Sequence, residues 1–169
     1  MSVGLVGSEM CIRDRGAAMA GGLGMLCAGD IVVVTEDCKF ALTETTLGIP
    51  PAQIAPFVAQ RIGLAKARRI MLTAARFTGK EAFEMGLADF IAKDANDLKN
   101  IESDIIKGVM NCAPGANAIT KEIVLATRHL ERSEMIDFAA KGFAERMLSD
   151  EGREGIASFI EKRKPKWSK

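Results

Sequence analysis

The first half of the chain carries its apolar residues in short uninterrupted runs. Residues 16–29 contain no charged side chain. A glycine-rich turn there is predicted to lead into a buried apolar helix that ends near Gly29. The β-branched run Ile31–Thr35 predicts a buried strand, and Lys39–Leu42 predicts a second short extended segment.

Helical spacing takes over after a turn at Gly48–Pro51, where Pro51 suits the start of a helix. The pattern predicts two helical segments that are separated by Gly63, over Gln53–Arg61 and Leu64–Ala75. Thr78 and Glu81 have the spacing of a capping box, which predicts a helix that stops at Gly86, and Leu87–Ala92 follows as a short strand. Amphipathic helices are then predicted over Leu98–Cys112, around Ile119–Leu130, around Ile136–Met147 and around Ile156–Ile160.

These patterns divide the chain into three parts. Residues 1–15 show neither helical nor strand periodicity, and the charged Arg13-Asp14-Arg15 cannot replace a buried strand without leaving charges unpaired, so we expect a non-native leader there. Residues 16–97 are predicted to form an α/β core and residues 98–169 a helical region.

Composition narrows the classes of function. The 169 residues are 48% hydrophobic and 27% charged, with a net charge of +1, which is typical of a globular domain without a strong field for nucleic acid or membranes. The uncharged run at 16–29 is shorter than the roughly 20 residues that span a bilayer. Four scattered cysteines are expected to be free thiols, and the single histidine, His129, is expected at a surface, so no metal site is predicted.

Two features are candidates for chemistry. Gly21, Gly22 and Gly24 lie at a predicted helix start, where free N–H groups and the helix dipole can hold an oxyanion; the alternative is tight helix packing. Glu44 is a lone carboxylate in an apolar and hydroxylated run, which disfavours its charged form and suits proton transfer; the alternative is a solvent-facing acid on a loop.

Taken together, these segments resemble the crotonase superfamily, the enoyl-CoA hydratase/isomerase group, over nearly the whole chain from about Gly16 to Trp167. The order and spacing of the segments carry the resemblance, which rests on Gly16–Gly24, Cys27–Asp30, Phe40–Gly48, Leu72–Ala74, Glu81–Leu87 and Glu151–Arg163.

The resemblance implies a crotonase-like spiral α/β core with a C-terminal helical trimerisation region. It also implies that Gly21 supplies an oxyanion-hole N–H and that Glu44 is a catalytic carboxylate. The residues that it implies in substrate binding are Gly22, Gly24, Pro51, Phe159 and Lys162. No cofactor is implied, because CoA is part of the substrate.

Three departures from the family pattern refine the expectation. Gly24 stands where the other family glutamate is expected, which implies a single-carboxylate mechanism. The run Pro50–Val58 replaces the usual glycine-rich stretch and looks most like hydratases of branched glutaconyl-type CoA esters, such as methylglutaconyl-CoA and isohexenylglutaconyl-CoA. The family's N-terminal portion does not precede Gly16, so we expect a truncated gene product.

The expected function is therefore hydration of an α,β-unsaturated acyl-CoA by a cytoplasmic enzyme that forms a homotrimer or a dimer of trimers when full length. Double-bond isomerisation is the nearest alternative, because one carboxylate can carry a proton between two carbons. The alternative that involves no catalysis is an inactive fragment that forms trimers.

Overall fold

The structure, a computed structural model, describes residues 11–14 and 16–168, without the side chains of Cys11 and Arg13. The chain forms two compact units, Met1–Asp104 and Ile105–Lys169. Each unit has its own internal packing. The predicted division at residues 97 and 98 falls in the same helix as the boundary between the units, and it stays a prediction.

The first unit alternates short strands with helices. Its strands are β1 (Cys11–Asp14), β2 (Ala17–Met19), β3 (Ile31–Thr35), β4 (Lys39–Ala41), β5 (Arg76–Thr78) and β6 (Phe90–Ala92). Its helices are α1 (Gly21–Ala28), α2 (Ala55–Leu72) and α3 (Gly79–Glu84), with a 3₁₀ turn at Glu44–Leu47. Helix α4 (Ala95–Met110) spans the boundary, and α5 (Pro114–Ala126), α6 (Arg132–Leu148) and α7 (Asp150–Ile160) belong to the second unit.

Two three-stranded sheets organise the first unit. One has the order β1-β3-β6 with all strands parallel, and the other has the order β2-β4-β5, in which β2 and β4 are parallel and β5 is antiparallel to β4. The central strand β3 buries Val32, Val33 and Val34 completely, as expected for a parallel strand that is covered on both faces. The expected α/β class is confirmed for this unit, and the expected strands over Ile31–Thr35 and Lys39–Leu42 correspond to β3 and β4.

The edge strand β1 comes from the segment that the sequence predicts to be a leader. Its residues pair with β3 in register, with Ile12 opposite Val32. Asp14 accepts a hydrogen bond from the backbone N–H of Gly16 at 3.0 Å, and its own carbonyl accepts one from the Cys38 thiol at 3.0 Å. Residues 1–10 and Arg15 lie outside the described residues, and the division of the chain at residue 15 stays a prediction.

The core of the first unit lies between the sheets and helices α1–α3. Its largest fully buried side chains include Phe40, Leu23, Leu42, Ile70 and Leu87. The rings of Phe40 and Phe77 stack across paired strands with their centroids 5.5 Å apart. This cross-strand pair stabilises the second sheet, whose strands are only three residues long.

Arg61 connects three elements of the first unit. Its guanidinium donates to the carbonyl of Gly29 at 2.9 Å and to the carbonyl of Leu87 at 3.0 Å, and it forms an ion pair with Asp89. Because Gly29 ends α1, the cation also faces the negative end of that helix dipole.

Burial raises the pKa of the nearby Cys27 thiol to about 11, against the opposing effect of Arg61, so Cys27 is a protonated core residue at neutral pH.

Helix α2 shows one confirmed prediction and one error. Gly63 has a left-handed backbone, with φ 79° and ψ 159°, and it interrupts the helix as predicted. The predicted helix start at Pro51 is wrong, because α2 begins at Ala55 with Pro56 in its first turn. Residues 50–53 therefore precede the helix, and Pro51 lines a cavity.

The capping box at the start of α3 is also confirmed. The Thr78 hydroxyl accepts from the Glu81 backbone N–H at 3.3 Å, while the Glu81 carboxylate accepts from the Thr78 N–H at 2.7 Å. The pKa of Glu81 is lowered by the Thr78 backbone N–H and by the Thr78 hydroxyl, which donates to the same carboxylate at 2.9 Å.

Gly79, the first residue of α3, is required by a close backbone approach. A Cβ added there would lie 1.9 Å from the Thr35 carbonyl oxygen. Alanine normally stabilises a helix by roughly 0.5–1 kcal/mol over glycine. Overpacking against backbone costs about 1–3 kcal/mol, and that larger effect decides the sign. We therefore expect Gly79→Ala to lower the free energy of unfolding in urea titrations, whereas Lys80→Ala, at an exposed neighbour, leaves it nearly unchanged. An unchanged midpoint for Gly79→Ala would show that α3 and β3 separate easily.

The second unit is helical, as predicted. Helices α5 and α6 approach closely at Gly142, where a Cβ would lie 3.1 Å from the Ile119 side chain. After α7, the chain is held by Arg163, whose guanidinium donates to both carboxylate oxygens of Glu154 at 2.6 and 3.1 Å. This bidentate pair lowers the pKa of Glu154 to about 2. The Trp167 indole N–H donates to the carbonyl of Asn111 at 3.2 Å.

Within the described ranges, no helix is both long and apolar enough to cross a bilayer. Over the same residues, no cluster of histidine, cysteine and carboxylate side chains is arranged to hold a metal ion. Cys27, Cys38 and Cys112 are free thiols.

Candidate active site

Glu44 is presented by a tightly held turn. Strand β4 runs into Leu42, which is fully buried and donates its N–H to the Ala75 carbonyl at 3.4 Å. Two hydrogen bonds fix the 3₁₀ turn that begins at Glu44. The Thr45 hydroxyl donates to the Met71 carbonyl at 3.1 Å, and the Thr46 hydroxyl donates to the Thr43 carbonyl at 2.7 Å. The carboxylate is therefore placed by a rigid local frame rather than by a free loop.

The amino end of α1 is brought beside this turn by the second sheet. Strand β2 pairs with β4, and the Ala20 N–H donates to the Ala41 carbonyl at 3.1 Å. Ala20 has φ 47° and ψ −120°, a left-handed conformation that costs a non-glycine residue on the order of 1–3 kcal/mol. This sharp turn sends the chain from the strand directly into the helix, with Gly21 as its first residue.

The first turn of α1 carries no capping side chain. Ala20 has no side-chain acceptor, and no acidic residue lies in the first turn. The first N–H groups of a helix have no intrahelical partner, and the dipole adds roughly half a positive charge at this end. The Gly21 end of α1 is thus suited to an anionic oxygen.

Gly21 and Glu44 line the same cavity, of about 340 Å³, together with the segment that precedes α2. The walls from that segment are Pro50, Pro51, Ala52, Gln53 and Ile54. A volume at the lower end of the range for small-molecule pockets fits a short reacting group better than a long chain. The arrangement joins one carboxylate, one helix amino end and a largely apolar wall.

One carboxylate oxygen of Glu44, Oε2, is buried and has no hydrogen-bond partner among the described residues. A buried polar atom without a partner is costly, and such atoms concentrate at functional sites. The carboxylate therefore retains the capacity to accept a proton or a hydrogen bond from a bound molecule.

Gly24 lies one turn into α1 and is buried under Ile54. A Cβ at position 24 would lie 2.2 Å from Cγ2 and 2.7 Å from Cβ of Ile54, so no side chain fits there while Ile54 keeps its place. Ile54 itself is half-buried and packs against the hydrophobic core. The space over position 24 is consequently filled by an aliphatic side chain and not by a second acid.

The remaining residues that the sequence singled out fall in two places. Gly22 is exposed in the first turn of α1, and Pro51 lines the cavity. Phe159 and Lys162 belong to the second unit, where Phe159 is 85% exposed and Lys162 follows the end of α7 in a left-handed conformation with φ 53°. The structure thus groups Gly21, Glu44 and Pro51 around one cavity.

Two further cavity residues, Gln53 and Ile54, lie in the run Pro50–Val58 that carries the glutaconyl-type resemblance, but the sequence predicts no role for either one by itself. The predicted helix begins at Gln53, and helical spacing does not distinguish a residue that lines a cavity from one that faces solvent. The approach of Ile54 to Gly24 joins residues that are distant along the chain, so local patterns carry no signal for it.

Comparison with known proteins agrees with this architecture. The profile of the family described as "Enoyl-CoA hydratase/isomerase" matches residues 13–169. A probable enoyl-CoA hydratase of Bacillus subtilis is 31% identical over 90% of this chain and 60% of its own length. The peroxisomal Delta(3,5)-Delta(2,4)-dienoyl-CoA isomerase of Arabidopsis thaliana is 29% identical over 100% of this chain and 63% of its own length.

Solved structures show the same fold. Pseudomonas aeruginosa AtuE superposes with a TM-score of 0.93 at 44% identity, over 96% of this chain and 63% of that one. An enoyl-CoA hydratase/isomerase from Marinobacter aquaeolei gives a TM-score of 0.92 at 38% identity, over 96% of this chain and 61% of that one. The chain therefore has the crotonase fold and spans 60–63% of the length of these relatives. By its sequence, its fold and the elements around Glu44, it belongs to the enoyl-CoA hydratase/isomerase family.

Proposed function

We propose that the protein hydrates an α,β-unsaturated acyl-CoA thioester, with Glu44 as the acid/base and the Gly21 N–H as an oxyanion donor. The observation that carries this proposal is the shared cavity, in which the Glu44 carboxylate and the amino end of α1 line the same space. A thioester oxygen at Gly21 would leave the conjugated double bond within reach of Glu44.

The proposed reaction needs only one carboxylate. Glu44 takes a proton from water as the water oxygen bonds to the β-carbon. The electron pair of the double bond moves toward the thioester, and the resulting enolate oxygen accepts the Gly21 N–H. Protonated Glu44 then returns its proton to the α-carbon, which restores the carboxylate. The uncapped helix end is pre-oriented toward the developing charge, which is where electrostatic stabilisation has its largest effect on rate.

A branched glutaconyl-type ester is the proposed acyl group. The support is the run Pro50–Val58, which resembles hydratases of such esters and contributes five residues to the cavity wall. The aliphatic wall suits a branched carbon skeleton. The carboxamide of Gln53, with two donors, suits a polar chain end.

Double-bond isomerisation is the second candidate, and the similarity to an Arabidopsis dienoyl-CoA isomerase favours it. One carboxylate can also move a proton from the α- to the γ-carbon. The experiment that separates the two reactions is incubation of the protein with crotonyl-CoA and with methylglutaconyl-CoA, followed by mass analysis of the products. Hydration adds the mass of one water, whereas isomerisation gives a product of unchanged mass that chromatography separates from the starting ester. Failure to convert either ester would contradict the proposal.

We also propose that the protein assembles as a homotrimer, or as a dimer of trimers, through its helical second unit. Large apolar side chains are exposed on α6 and α7, among them Phe143 at 67%, Leu148 at 71%, Phe159 at 85% and Ile160 at 72%. Apolar surface of this extent is usually covered by a partner. Light scattering at micromolar concentration is expected to give a mass at least three times that of one chain. A monomer with a cooperative thermal transition would contradict the assembly.

A further inference from the structure

The side chain of Ile54 occupies a position that no other cavity residue shares. It lines the cavity with Glu44 and Gly21, it packs against the hydrophobic core, and it covers Gly24 so closely that no Cβ is tolerated there. Pro50 and Pro51 also line the cavity, but only the side chain of Ile54 lies between the cavity and Gly24 of α1.

We infer that Ile54 determines acyl-chain specificity: its side chain, seated on Gly24, forms the cavity wall toward α1 and limits the length of the acyl group that the site accepts. The inference rests on the proposed function, because it takes the acyl chain of a thioester as the occupant.

The placement of the reacting atoms leads to this role. The thioester oxygen is held at Gly21, and the β-carbon must lie beside Glu44, so the carbons beyond it continue within the same cavity. The walls left for those carbons are the segment 50–54, which ends at Ile54. A longer chain that continues toward α1 meets position 24, where the space is already filled by Ile54.

Removal of the Ile54 side chain should therefore open a channel toward Gly24. A single methylene in an apolar pocket changes discrimination roughly 10–200-fold. For Ile54→Ala, we expect the ratio of kcat/KM for octenoyl-CoA to that for crotonyl-CoA to rise by about tenfold or more. Ile54→Val, which loses one methyl group and keeps the contact with Gly24, should shift the ratio in the same direction by less.

Position 24 provides a reciprocal test of the same contact. Gly24→Ala alone places a methyl group 2.2 Å from Ile54 Cγ2, so Ile54 must move, and we expect a lower melting temperature. In the double variant Gly24→Ala/Ile54→Ala, the new methyl group occupies space that Ile54 has left. Melting temperature should recover relative to Gly24→Ala, and the chain-length ratio should return toward that of the parent. The two sites are in contact, so their effects should not add.

Val58→Ala is the matched control. Val58 lies one turn further along α2, is fully buried, and does not line the cavity. Its truncation should lower the melting temperature without changing the chain-length ratio.

The experiment measures binding and kcat/KM for crotonyl-CoA and octenoyl-CoA with the parent and all five variants. Failure of the parent to bind or convert either thioester would contradict the proposed function together with this inference. An active parent whose ratio is unchanged in both Ile54→Ala and Ile54→Val would overturn the inference alone. An equal shift in Val58→Ala would also overturn it, because the effect would then come from general loosening of α2.

Discussion

Replacement of Glu44 by Gln is expected to lower the rate of enoyl-CoA hydration by roughly 10²–10⁴-fold. The amide is nearly isosteric with the carboxylate, so the turn at Glu44–Leu47 and its hydrogen bonds should persist. It cannot take a proton from water at neutral pH. Because Ile54 covers Gly24, no second carboxylate stands at that position to rescue the step. Initial rates with the parent and the variant measure the loss.

Glu84→Gln makes the same chemical change on the exposed surface of α3, away from the cavity, and should leave the rate intact. Thermal melts and thioester binding should be nearly the same for parent, Glu44→Gln and Glu84→Gln. Retention of parental turnover by Glu44→Gln on every enoyl-CoA that the parent hydrates would remove Glu44 from the mechanism.

Replacement of Gly21 by Pro is expected to lower turnover by roughly 10²–10³-fold, the usual cost of one lost oxyanion donor. Proline has no N–H, yet the first position of a helix is where proline is best tolerated. Gly21 is that first position in α1, and a Cβ there would meet nothing within 4 Å. Gly21→Ala keeps the N–H and adds the Cβ, so it isolates the effect of the missing donor in a direct comparison of kcat.

Circular dichroism should be preserved in both Gly21 variants. Gly21→Ala should also keep the parental melting temperature, whereas Gly21→Pro should lower it, because proline disfavours the backbone conformation of Ala20. Parental rates in both Gly21→Pro and Gly21→Ala would mean that this N–H does not stabilise the enolate. Equal losses would instead indicate that the site tolerates no side chain at this position.

Local signals predicted the parts of the fold that depend on neighbouring residues. The capping box of Thr78 and Glu81, the break at Gly63 and the helices of the second unit all follow from side chains within one or two turns of each other. The buried strand β3 was also predictable, because three consecutive valines are seldom placed anywhere else.

The short strands depended on partners that are distant in sequence. Ala17–Met19 consists of small and flexible apolar residues that favour a helix, and it becomes a strand because it pairs with Lys39–Ala41. Arg76–Thr78 likewise forms a strand against β4. Local preference predicts a helix start at Pro51, whereas Pro56 lies in the first turn of α2 in the structure.

The candidate site shows the same division. Glu44 and Gly21 were identified from their local sequence and from a family resemblance, and the structure brings them to one cavity. Ile54 was not identified, because its importance arises from a contact with Gly24 that only the folded chain creates. The contact also explains in terms of packing why position 24 is a glycine, whereas the resemblance showed only that the family glutamate is replaced there.

Hydration of an enoyl-CoA in D₂O, with the product examined by NMR, tests most directly whether Glu44 carries the proton from water to the α-carbon. For the parent, we expect a 3-hydroxyacyl-CoA with one deuterium at the α-carbon, and for Glu44→Gln we expect almost none of this product in the same time. Deuterium at the γ-carbon of an unhydrated ester, or α-labelled product from Glu44→Gln at the parental rate, would contradict this role of Glu44.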